Sequence, residues 1–121
     1  MSILEKIKRN ISPKTVLYTP SRRFPFTVEK VDAEGVTFRV GAGKWKITVP
    51  AECLEGVPNY LKGRGWVKIG AVHGTADKGT LEAYLDKYVL RSSSSYVVPL
   101  LDQIGVVKVQ HSRPAKIKLS I

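Results

Sequence analysis

This chain has a single cysteine, Cys53, so no disulfide can form within it. A reducing, cytoplasmic home is the simplest expectation from that lack. Its two histidines, His73 and His111, lie far from Cys53 and from each other, which leaves no cluster with zinc-ligand spacing. No apolar run approaches the roughly 18–20 residues that a membrane helix needs, so no membrane partner is expected. The opening segment MSILEKIKRN carries charges where an export signal needs its apolar stretch. Side-chain amides are also scarce: Asn10, Asn59, Gln103 and Gln110 are all there are. Amides deamidate when hot and hyperthermophile proteins use few of them, which hints at a thermophilic, archaeal-type source.

Acid is the other shortage. Ten Asp and Glu face twenty Lys and Arg, a net charge of +10. The excess is spread along the chain, with ten basic and four acidic groups in residues 1–50 and ten and six in residues 51–121. Such a field attracts phosphate backbones, and it is a statement about association rather than fold. An apolar fraction of 43% is ordinary for a globular protein, so disorder is excluded for most of the chain. At 121 residues there is room for one domain, or for two small parts sharing a core.

Catalytic patterns are lacking too. GAGKW (41–45) and GRGW (63–66) resemble phosphate loops only in their glycines. A P-loop needs G-x-x-x-x-G-K-[ST], and Trp45 stands in the Ser/Thr place. Asp32, Glu34, Asp77, Glu82 and Asp86 form no nuclease signature. Glu82 and Asp86 are i,i+4 neighbours, read as a solvated helix face. Neither an enzyme nor a cofactor is expected.

What is present begins with an amphipathic helix over residues 2–12. Ser2 and Glu5 fit a capping box, and Ile3, Leu4, Ile7 and Ile11 fall on one face. Residues 1–49 then read as this helix plus an antiparallel β region. The strands TVLYT (15–19), FTVEKV (26–31), VTFRV (36–40) and WKITV (45–49) are separated by DAEG and GAGK turns. Val36, Phe38 and Val40 share a face, as do Trp45, Ile47 and Val49, and these faces are the expected core. Trp45 is therefore expected to be buried.

Residues 50–121 form the second region. PAECLEGVPNYLKG (50–63) carries helical signals interrupted by Gly56 and Pro58, which predicts two brief turns. WVKIGAV (66–72) reads as a strand and HGTADKG (73–79) as a loop. Helices follow over Thr80–Val89 and Ser93–Ile104, stopped by Gly105. Pro99 is tolerable only in a first turn, which sets the second helix's start near Ser95. The strands VVKVQ (106–110) and KIKLSI (116–121) flank a loop, HSRPA, that holds Arg113.

Helix, strand, helix, helix and basic hairpin, together with the Leu101, Ile104, Gly105, Val106, Val107 run, resemble the winged helix-turn-helix superfamily. The resemblance covers about seventy residues, matches no single family's residue signature, and departs from the pattern in the broken first helix, the long 73–79 loop and Pro99. It implies that the third helix enters a major groove while the hairpin wing touches the flanking backbone. The expected fold class is thus α+β, a small antiparallel β region packed on a winged-helix-like half.

The candidate contacts follow from this. Arg91, Ser93, Ser94, Ser95 and Tyr96 begin the third helix. Serines bind phosphate but discriminate bases poorly, so weak sequence specificity is expected. Lys108, Lys116 and Lys118 share one hairpin face with Arg113 at its tip. Arg22 and Arg23, in TPSRRFPF (19–26), sit beside Phe24 and Phe26 and can grip a strand by charge and stacking. The expected partner is nucleic acid, double-stranded DNA before single strands or RNA. The alternative is a protein–protein adaptor in a nucleoprotein complex, an acidic protein is a further candidate partner, and the stripe on residues 3–11 predicts a homodimer.

Overall fold

The computed structural model describes residues 2–20, 23–70, 77–111 and 114–121. The expectations placed on Arg22, Arg113, His73 and most of the 73–79 loop lie outside these residues.

Helix α1 (Ile3–Asn10) begins where the Ser2 hydroxyl accepts a hydrogen bond from Glu5 N–H at 3.1 Å. The next two free donors are met from outside the helix. Ile3 N–H and Leu4 N–H donate to the Glu55 carboxylate at 2.7 and 3.2 Å, which ties the helix to a distant segment of the chain. A carboxylate at a helix N-terminus is favourable for the dipole as well. Ile3, Ile7 and Ile11 are buried against this chain's own core. The isoleucines of the stripe are therefore packed within this chain and not left open to a second copy, and Leu4 stays half-buried beside them.

Strands β1 (Val16–Tyr18), β2 (Pro25–Asp32), β3 (Gly35–Val40) and β4 (Trp45–Pro50) form an antiparallel meander in chain order. Alternation directs Phe26, Val28, Val36, Phe38, Val40, Ile47 and Val49 into the core. Gly35 opens β3 because a Cβ there would lie 2.1 Å from the Val49 carbonyl oxygen. Trp45 departs from the alternation and is 54% exposed. It is the last pair of the β3–β4 hairpin, opposite Val40, and its ring lies against Gly41 with the Arg91 guanidinium 5.0 Å above it.

Helix α2 (Ala51–Leu61) runs unbroken through Gly56 and Pro58, against the two turns expected. Burial of Cys53, Leu54, Val57 and Leu61 outweighs the hydrogen bond that Pro58 cannot donate. Each such side chain is worth about 1.5–3 kcal/mol when fully buried. Gly56 serves packing instead of breaking the helix: a Cβ there would meet the Tyr84 hydroxyl at 2.3 Å.

Strand β5 (Val67–Lys68), helix α3 (Leu81–Leu85), helix α4 (Ser94–Gln103), strand β6 (Val107–Gln110) and strand β7 (Lys116–Leu119) complete the chain. The three strands form a second antiparallel sheet in the order β5-β7-β6. Pro99 is the sixth residue of α4, deeper than a first turn. The buried Val97, Val98, Leu100 and Leu101 hold the helix around it. Helix α2 contacts β3, β4 and β7, and α4 contacts β1 and β6, so both sheets share one core cluster. The fold is α+β. No helix among the described residues is long and apolar enough to cross a membrane.

Candidate nucleic-acid interface

The second sheet has one face toward the helices. Val67, Val107 and Ile117 point there and are buried. The next residue along each strand must point outward, and here each of those is cationic. Lys68 pairs with Lys116 across β5 and β7, and Lys118 pairs with Lys108 across β7 and β6. Gln110 pairs with Lys116 on the other side. Lys68, Lys108 and Lys118 are exposed and Lys116 is half-buried. Directly opposed residues have Cβ atoms about 4.5–5.5 Å apart, and like charges so placed destabilise a sheet.

The ion pairs among the described residues, Lys30–Asp32, Arg39–Glu29 and Lys46–Glu29, all belong to the first sheet. None compensates the lysine face. Edge lysines can serve only to discourage aggregation. That account does not reach Lys116 and Lys118, which stand on β7, the middle strand.

The face continues past β5. A groove of about 400 Å³ is lined by Arg64, Trp66, Lys68, Lys78 and one acidic residue, Asp77. Trp66 is 46% exposed. Arg64 is held in place: its Nε donates to the Tyr60 carbonyl at 2.5 Å and its guanidinium lies 4.3 Å above the Tyr60 ring. Sequence reading missed Arg64, Trp66, Lys68 and Lys78. The alternation of Trp66, Val67, Lys68, Ile69 marked a strand, but only its pairing with β7 puts Lys68 beside the hairpin lysines.

The start of α4 is different from what the resemblance implies. Ser93 and Ser94 are buried, with exposures of 0% and 1%. Their N–H groups donate to Glu82 Oε1 at 3.1 and 3.2 Å. The Ser94 hydroxyl lies 2.9 Å from the same oxygen and 3.2 Å from the Gly70 carbonyl. The positive end of the helix is thus already filled by an internal carboxylate, where a phosphate would otherwise sit. Burial pushes the Glu82 carboxyl pKa up, the neighbouring Asp86 carboxyl adds to the rise, and the Ser94 hydrogen bonds oppose it. Glu82 is fully buried, which overturns the solvated helix face expected for it.

Tyr96 is half-buried, packed edge-on against Phe26 with centroids 5.1 Å apart and tilted on Phe38 at 6.3 Å. Ser93 and Ser94 are therefore parts of the core, whereas Tyr96 packs against the core and stays partly exposed. Ser95 is half-buried. Arg91 and Arg23 are exposed but belong to the other sheet's surroundings, stacked at 5.0 Å over Trp45 and 5.6 Å over Tyr18. Of the expected contacts among the described residues, the second sheet brings together Lys108, Lys116 and Lys118.

Cys53 is buried under Tyr84, whose hydroxyl donates to the Cys53 carbonyl at 2.6 Å, and its thiol pKa is pushed up to about 12, chiefly by desolvation. No three His, Cys, Asp or Glu side chains among the described residues could jointly hold a metal ion. No family model, curated protein or solved structure matches this chain.

Proposed function

We propose that this chain is a nucleic-acid-binding protein that grips phosphates with the outer face of its second sheet. The observation that carries this is the set Lys68, Lys108, Lys116 and Lys118 on one face, half of it on the middle strand and all of it without an acidic partner among the described residues. Arg64, Lys78 and Trp66 extend the face, with an indole that a base or sugar can cover. The element order from α2 to β7 and the sheet order β5-β7-β6 support a winged-helix-like reading of residues 50–121. In this reading the wing sheet binds and α4 does not, because α4 is apolar and buried. Backbone contacts position a protein without reading sequence, so low sequence specificity follows. Double-stranded DNA is the first target. The role is binding rather than catalysis, in the cytoplasm, the compartment that the lone Cys53 favours.

The test is a binding series with duplex DNA at increasing salt. Neutralising four to six phosphates gives a slope of log K against log salt of roughly −4 to −5. The double variant Lys116→Ala, Lys118→Ala lowers that slope by about 2 in magnitude and leaves the fold intact. No binding at low salt, or a slope near zero, refutes the reading.

A further inference from the structure

A second surface stands apart from the lysine face, at the end of the first sheet where the β1–β2 loop meets the β3–β4 turn. Thr19, Phe24, Pro25, Val40, Gly41, Ala42 and Tyr96 enclose a pocket there of about 350 Å³. Its walls are largely apolar. Phe24 is 59% exposed, although an aromatic ring is among the most favourable groups to bury. The Gly41-Ala42-Gly43 turn, with φ of +61°, +58° and +85°, brings only small residues to the opposite side, which keeps the slot open.

Cations stand around it, with Glu29 paired to Arg39 at the same turn and Asp102 lining the neighbouring cavity with Arg23. Trp45 leans on Gly41 and carries the Arg91 guanidinium on its ring, Arg23 follows the loop with its guanidinium over Tyr18, and Lys44 is exposed in the turn. Among the described residues, no acidic side chain lines the pocket. A largely apolar pocket beside exposed aromatic rings and guanidinium groups suits a ligand with a flat uncharged part and an anionic backbone. We propose that this pocket takes an unpaired base of a single-stranded segment, with the base against Phe24 and its phosphates beside Arg91 and Arg23. The proposal rests on the nucleic-acid reading and extends it: the lysine face holds a backbone of either kind, and this pocket selects an unpaired strand.

The test uses three DNAs: a blunt duplex, the same duplex with a short single-stranded tail, and that duplex with an abasic tail of equal length. The abasic tail keeps the phosphates and removes the bases, so the ratio of the two tailed affinities isolates base capture. The expected ratio is roughly tenfold, the scale of one base stacked on an aromatic side chain. Phe24→Ala, a change at an exposed residue, brings the ratio close to one. The two tryptophans separate the sites optically: in Trp66→Phe the remaining Trp45 emission should be quenched by the base-bearing tail and not by the abasic one. A wild-type ratio near one with salt-dependent duplex binding intact overturns the pocket and leaves the lysine face standing. A tenfold ratio that persists in Phe24→Ala also overturns it. Trp45 emission that responds to a polyglutamate peptide and not to the tail assigns the pocket to an acidic protein instead. Failure of all three DNAs to bind removes the nucleic-acid reading itself.

Discussion

Replacing Glu82 by alanine removes one acceptor that serves several donors. Glu82 Oε1 takes the N–H groups of Ser93 and Ser94 and the Ser94 hydroxyl, all in the core. The hydroxyl can turn to the Gly70 carbonyl, 3.2 Å away, so its loss is small. The two backbone donors have no such alternative, and each buried donor left unmade costs about 1–3 kcal/mol. The side chain also vacates a site with 0% exposure, which adds a cavity. Relief of the buried charge offsets part of this, and a net loss of about 3–5 kcal/mol remains. Against a typical total of about 5–15 kcal/mol, that is a large fraction, and the midpoint of thermal unfolding should fall by roughly 10–20 °C.

Glu82→Gln separates charge from hydrogen bonding. Its Oε1 still accepts from Ser93 and Ser94, and its Nε2 adds a donor for the neighbouring Asp86 carboxyl. The pKa of Glu82 is higher in the folded state than unfolded, so the folded state holds that proton more tightly. The stability linked to it is full below the unfolded pKa and is lost as pH rises through the folded one. Wild type should therefore gain stability, through this group, as pH falls from neutral toward the carboxylate range. Glu82→Gln should lack that gain and be at least as stable as wild type at neutral pH. Chemical denaturation of the three proteins between pH 5 and 8 measures both effects. A loss under about 1 kcal/mol for Glu82→Ala, or a pH profile of Glu82→Gln parallel to wild type, refutes the reasoning.

Other sites give sharper contrasts. Gly56→Ala should destabilise by about 1–3 kcal/mol through the Tyr84 hydroxyl. Tyr84→Phe removes that hydroxyl and should rescue most of the loss, so a double-mutant cycle that is additive would contradict the contact. Cys53 should resist alkylation in the native protein at pH 8 and react on unfolding, since its pKa lies near 12; rapid native labelling counts against its burial. Trp45→Ala should cost under about 1 kcal/mol, in contrast with the larger loss expected of a core indole. Thermal unfolding reads it directly.

Period-two alternation, turn residues and caps are local, and they placed four strands of the first sheet and the hairpin lysines in the sequence alone. What the sequence concealed is set by distant pairing. Gly56 and Pro58 read as breakers because propensity is local, whereas α2 is held by burial of Cys53, Leu54, Val57 and Leu61. Lys68 looked like one more solvated lysine until β5 paired with β7. The serines at the start of α4 looked like phosphate ligands because Ser is a good N-terminal residue for either role. Which role they take depends on Glu82, eleven residues earlier, whose polarity argued for exposure and whose partners lie across the fold. The same comparison explains why the proposed interface lies on the sheet rather than on the helix. The Glu82 carboxyl already fills the positive end of α4, and the lysines of β5, β6 and β7 take part in none of the ion pairs among the described residues. On the face that opposes lysine to lysine, the proposed reading draws that complement from a bound phosphate backbone.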